Sequence, residues 1–356
     1  MEYPSLDTPK AGAFRFNTDI KLLELYDGGQ WVGLVSYLTP ELQTGGTRGL
    51  VAGGGQPAKI NIISYANIST TGDFADFGDL TQSVSSTTGL ASRTRGVRAG
   101  GSAPSNTDTM DYVTISSTGN AIDFGNQDTN RCQQGGCAND TRGLIGGGTD
   151  GSNPQNVINY ITIATTGNTV DFGELKQQRE QMNMACASPI RGFWLGGEYP
   201  SGSPDTDLQM DNTIQYVNIA STGNAAEFID VFGVGTYAAA NGCNGVIGVR
   251  AGGAIPSEDS PRGAGSRYAA MWSWNVASLG VGHHFGDMVL GRAQAAGLAS
   301  STRFVIAGGQ GTPNGDTALS SAEYIEFATL GDAVDFGDLP QVMRTPASFT
   351  NGHGGL

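Results

Sequence analysis

The chain has 356 residues, of which 55 are glycine, 38% are hydrophobic and only 15% are charged. Its 19 basic residues face 33 acidic ones, and the net charge of −14 disfavours nucleic-acid backbones and anionic membrane surfaces as partners. No apolar run reaches the ~18–20 residues that span a bilayer, and MEYPSLDTPK lacks the basic and apolar regions of a signal peptide, so neither membrane insertion nor a cleaved leader is expected.

Short β-branched and aromatic runs separated by Gly, Asn, Ser and Pro clusters predict an all-β fold. Residues 1–36 form a module of their own. Within it GAFRFNTDIKLLELYDGGQWVGL, 12–34, predicts a three-stranded meander: AFRFN, a turn at NTD, IKLLELY, a turn at DGG, then QWVGL. So small a sheet is marginal alone and must dock on its own chain or on another. Residues 37–46 read as a linker.

From residue 47 to the end the chain repeats itself. TGDFADFGDL (71–80) returns as TGNAIDFG (118–125), TGNTVDFGEL (166–175), TGNAAEFIDV (222–231), LGVGHHFGDM (279–288) and GDAVDFGDL (331–339). The shared phenylalanines are Phe77, Phe124, Phe172, Phe228, Phe285 and Phe336, at intervals of 47 to 57 residues. That is the length of one four-stranded propeller blade. Each copy also holds an apolar strand ending in paired glycines, as in TRGLVAGG (47–54) and TRGLIGGG (141–148), and an alternating strand such as ISYANIST or MDYVTISS. The paired glycines resemble those of the Kelch class of β-propellers, and the strand tyrosines Tyr65, Tyr112, Tyr160, Tyr216 and Tyr324 fit it, although no regular tryptophan follows. A six-bladed Kelch-like propeller over 47–356 is the expected architecture. The terminal QVMRTPASFTNGHGGL supplies one more strand, expected to complete the first blade, with TPELQTGG (39–46) as its competitor for that place.

A single DFG would suggest a kinase, but here the triplet recurs without a phosphate loop, a strand lysine or a catalytic loop. The expected role is structural, with Phe between blades and Gly opening a turn. Five copies also carry an arginine and an acid at fixed places: Arg48 and Asp76, Arg95 and Asp123, Arg142 and Asp171, Arg191 and Glu227, Arg303 and Asp335. The fifth copy has neither, with Ile247 and His284 instead. Joint loss predicts an ion pair within each blade, since one charge left alone in a partly buried site is costly.

The fifth copy departs further. Ser273 replaces the tyrosine between Trp272 and Trp274, and the loop AIPSEDSPRGAGSRYAA (254–270) is long. With the preceding loop EYPSGSPDTDLQMD (198–211) it predicts a contact surface that includes Tyr199, Asp205, Asp207, Glu258, Asp259, Arg262, Trp272 and Trp274. The four cysteines, Cys132, Cys137, Cys186 and Cys243, match no metal spacing and are expected as buried thiols. No cofactor, metal or catalytic residue is predicted.

The pattern GxFRFNTDxxxLELYDGxxWVxL resembles a short module of tail-fibre and other virion structural proteins of tailed phages, notably marine and cyanobacterial ones, and TGNAIDFG and TRGLIGGG resemble propeller-like repeats in phage structural proteins. The resemblance implies a virion protein assembled in the host cytoplasm: a tail fibre or peripheral appendage that contacts other virion proteins through residues 12–34, forms a homo-oligomer and faces a host-surface glycan or protein. A capsid decoration or baseplate component is the alternative. Two other classes compete. A glycan-degrading enzyme would need two carboxylates across a cleft; Asp205, Asp207, Asp211, Glu258 and Asp259 are available in the loops. A calcium lectin would use loop acids such as those of GGGTDGSN (146–153), but that segment does not recur in tandem and reads better as a polar turn after a strand.

Overall fold

The computed structural model describes residues 9–18, 22–33, 47–55, 58–181, 185–199, 209–210, 213–230, 236–255, 267–278, 282–311 and 317–352. None of these is helical. The chain divides into two compact units, Met1–Thr44 and Gly45–Leu356.

The first unit is an antiparallel meander of Phe14–Asn17, Leu22–Tyr26 and Trp31–Gly33. Asp27 makes its second turn by accepting from the Gly29 and Gln30 amides, both at 2.8 Å. Alternation sorts the side chains onto two faces. On one, Arg15 pairs with Glu24 at 2.6 Å and stands 4.3 Å over the Trp31 ring. The register places Phe14 opposite Leu25, Phe16 opposite Leu23, and Leu25 opposite Val32 on the other face.

Among the described residues the second unit holds six four-stranded antiparallel sheets in chain order. The first sheet takes its innermost strand from the C-terminus: Ala347–Thr350 pairs with Arg48–Ala52, followed by Ile62–Asn67 and Ala75–Asp79. The expected terminal strand is therefore present; its competitor at 39–46 lies outside the described residues. The other innermost strands are Thr88–Ala91, Gly135–Ala138, Ala185–Ala187, Ala240–Cys243 and Ala296–Ala299. Each lies beside its predecessor and its successor, and Ala347–Thr350 touches both the sixth and the second, so the circuit of neighbours closes.

Apolar burial follows the same circuit. Leu50, Ile63 and Phe77 of the first sheet pack against Ala91, Val113 and Ile115 of the second. Equivalent clusters join each consecutive pair, and the last sets Val305 and Phe336 of the sixth sheet against Val51 and Ile68 of the first. A strand of small and β-branched residues can bury both faces only when sheets lie on either side of it. The burial pattern iBBBB, shared by Arg48–Ala52, Arg95–Ala99 and Arg303–Ala307, shows that outcome.

The DFG triplet is a joint between sheets. In the first sheet Ile63 pairs with Gly78 and Ser64 with Asp76, so Phe77 is the extra residue of a β-bulge. Its ring is 2% exposed. Its carbonyl accepts from Gly119 N of the next sheet at 2.8 Å, while Asp79 N donates to Asn120 Oδ1 at 3.0 Å. Gly78 has φ +146°, and a Cβ there would lie 2.5 Å from the Gly119 carbonyl oxygen. The glycine is thus required by the approach of the neighbouring backbone, not by a turn. The joint recurs at Phe124–Gly167, Phe172–Gly223, Phe285–Gly331 and, closing the circuit, Phe336–Gly72.

Candidate functional site

Two arginine arrangements and one cavity organise the chemistry of the second unit. The motif arginines do not pair with the DFG-position acids. No ion pair among the described residues joins Arg48 to Asp76, Arg95 to Asp123, Arg142 to Asp171, Arg191 to Glu227 or Arg303 to Asp335. Instead each guanidinium lies over the strand tyrosine of its own sheet: Arg48 over Tyr65 at 4.6 Å, Arg95 over Tyr112 at 4.3 Å, Arg142 over Tyr160 at 4.9 Å, Arg191 over Tyr216 at 5.0 Å, Arg303 over Tyr324 at 4.6 Å. From there it donates to a carbonyl of the next sheet, such as Arg48 to Ile115 O at 3.0 Å and Arg95 to Ile163 O at 2.9 Å. The acids stand on the exposed outer strand, where Glu227 pairs with Lys176. The joint loss in the fifth copy therefore has a different cause: Ile247 and Ser273 remove the cation and the ring together.

A second set, deeply buried, was not singled out in the sequence. Arg98 is 1% exposed, pairs with Asp111, and donates to Gly100 O at 2.8 Å and Thr109 O at 2.9 Å. Arg131 reaches Asn159 and the Gly147 carbonyl, Arg179 the Gly196 carbonyl and Thr213 Oγ1, Arg292 Glu323 and the Gly308 carbonyl. These four guanidiniums fill one equivalent place, beneath the paired glycines of sheets two, three, four and six. Arg98 comes from the glycine-pair strand itself. The others come from the segment before the sheet, two residues ahead of a left-handed residue (Gln133, Gln181, Gln294). Burial pushes the Arg98, Arg131 and Arg292 guanidiniums down, opposed by Asp111, Asp128 and Glu323. Two routes to one place explain why no single repeat position marked it.

Those left-handed residues form a chain of backbone bonds. Ser86 N donates to Thr345 O, Thr345 N to Gln294 O, Gln294 N to Ala238 O, Ala238 N to Gln181 O, and Gln133 N to Ser86 O. Close by, all six innermost strands line one narrow cavity, through Thr88, Gly136, Ala185, Asn241, Gly297 and Ser348.

Of the predicted contact residues, Asp205, Asp207, Glu258, Asp259 and Arg262 lie outside the described residues. Tyr199 ends a two-residue strand paired with Gln209. Trp274 is not a surface residue: it is 2% exposed, lies on Gly248 and meets Phe193 at 6.5 Å, taking the volume that glycine leaves open. Trp272 is half-buried, with the exposed His284 edge-on to it at 5.4 Å. The two tryptophans share one face of the strand and differ in the residue opposite, Gly248 for Trp274 and Arg250 for Trp272. Asp150 of GGGTDGSN accepts from the Ser152 and Asn153 amides at 2.7 and 2.8 Å, and these bonds, Asn153 foremost, hold its carboxyl below the usual range. This is the polar turn. All four cysteines are buried free thiols. Burial pushes Cys132 up to about 11 and Cys243 up to about 12.

No protein-family model matches this chain, and no curated protein matches it.

Proposed function

We propose that the chain is a non-catalytic virion structural protein of a tailed phage, a tail fibre or peripheral appendage, in which a six-bladed Kelch-like β-propeller is carried by an N-terminal assembly module. Six four-stranded sheets with a closed circuit of innermost strands support the propeller reading. The sequence pattern of residues 12–34 supports the phage assignment. One observation carries the assembly role. The meander's own strands leave its apolar face uncovered: Phe14 is 62% exposed, Phe16 61%, Leu23 45% and Val32 42%. A sheet of three short strands gains little stability unless such a face is covered. A second copy of the same segment provides a matching surface and makes the chain a homo-oligomer attached through this end.

Light scattering after size exclusion tests the reading. The full chain is expected to run as an oligomer, and Phe14→Ser with Phe16→Ser to run as a folded monomer. A wild-type monomer at micromolar concentration, or an oligomer unaffected by both substitutions, would overturn it.

A further inference from the structure

The fifth sheet lacks something that its neighbours supply internally. In register across each sheet, one row of residues runs from the innermost strand outward. In the second sheet it is Gly89, Arg98, Asp111, Asp123; in the sixth it is Gly297, Ile306, Glu323, Asp335. In the fifth it is Asn241, Arg250, Trp272, His284. Two changes coincide there. Trp272 stands where the second and sixth sheets place a carboxylate for the buried guanidinium. Asn241 stands where the other five sheets place glycine, alanine or serine.

Arg250 is 1% exposed, and its Nε and Nη1 have no hydrogen-bond partner among the described residues. Asn241, directly opposite it, is 3% exposed, and its Nδ2 and Oδ1 also have none. Opposite residues of an antiparallel pair project to the same face with Cβ atoms about 5 Å apart. Asn241 also lines the cavity shared by the innermost strands. Buried polar groups without partners are rare and costly, and a buried guanidinium more so. Burial accordingly pushes Arg250 down to about 10.

We propose that Arg250 and Asn241 form a binding site for a carboxylate, reached from the axial cavity. Arg250 Nε and Nη1 each offer a charged N–H donor to a carboxylate oxygen, and the Asn241 amide supplies a further donor. The incoming group takes the role that Asp111 and Glu323 play for Arg98 and Arg292. The ligand is a small carboxylate, or the carboxylate end of a larger molecule.

Sodium acetate serves as the probe, titrated into the full chain at fixed pH, with sodium chloride keeping ionic strength constant. The thermal midpoint is expected to rise with the logarithm of acetate concentration above Kd, by about 4 °C at a hundred-fold excess over Kd. Arg250→Met should abolish the rise and Asn241→Leu should weaken it; Glu258→Gln with Asp259→Asn should leave it intact. The Arg250→Met protein also reports on folding, because removing an unpartnered buried charge should raise its midpoint without acetate. No rise in the wild type would overturn the proposal, as would a rise that survives Arg250→Met. A response that appears only when Glu258 and Asp259 are neutralised would assign the site to the chain's own carboxylates and overturn it equally.

Discussion

Replacing Gly78 by alanine tests the joint between sheets most sharply, because a matched control lies six residues away. Gly78 and Gly72 share an unusual backbone, with φ +146° and +152°, so each alanine meets a comparable conformational penalty of about 1–3 kcal/mol. They differ in surroundings. A Cβ on Gly72 meets nothing within 4 Å, whereas one on Gly78 lies 2.5 Å from the Gly119 oxygen and 2.6 Å from its carbon. Relief needs the second sheet's backbone to retreat. That movement weakens Gly119 N to Phe77 O (2.8 Å), Ala121 N to Asp79 O (2.7 Å) and Asp79 N to Asn120 Oδ1 (3.0 Å). At about 0.5–1.5 kcal/mol each, these bonds add roughly 2–4 kcal/mol to Gly78→Ala alone. Thermal or denaturant unfolding of the two variants should therefore differ by that amount, about 3–5 °C in thermal midpoint. Midpoints within about 1 °C of each other would refute the close-approach account of the triplet.

Three further outcomes follow from the arginines and thiols. Arg95→Met should cost about 1–2 kcal/mol through the lost Tyr112 stacking and Ile163 bond, while Asp123→Asn stays within about 0.5 kcal/mol in the same unfolding assay; an equal loss in both would restore the ion pair. Arg98→Met, which strands the buried Asp111, should cost about 3–5 kcal/mol, and adding Asp111→Leu should recover most of it in chemical denaturation. The thiols set an alkaline limit. Their folded pKa values are raised, so stability holds below the ordinary thiol value of 9.0 and falls as pH rises towards about 11 for Cys132 and about 12 for Cys243, because only the unfolded chain releases those protons. Cys243→Ala should flatten the decline of midpoint between about pH 9 and pH 10.5; an unchanged slope would count against the thiols as its source.

Periodicity made the strand framework readable, since each sheet repeats the same alternation and the same glycines. The meander strands, the C-terminal strand and the burial of the shared phenylalanines all follow from local pattern. Partner choice was not legible in the same way. Arg48 and Asp76 co-occur with every intact copy, but so does Tyr65, and covariation among five copies cannot separate an ion pair from a cation over a ring. The structure separates them because Asp76 lies on the exposed outer strand and Tyr65 on the next one inward. The buried guanidiniums were hidden because Arg98 and Arg131 reach equivalent places from different positions in the repeat. A divergent copy points to surface for Trp274, yet the register sets it opposite Gly248, whose missing side chain leaves room for the indole.

Cryo-electron microscopy of the intact particle tests the central claim most directly. Density with six radial blades is expected at the tail periphery, with copies meeting through residues 12–34. Purified particles that lack this chain, or density showing it without a six-bladed disc, would contradict it.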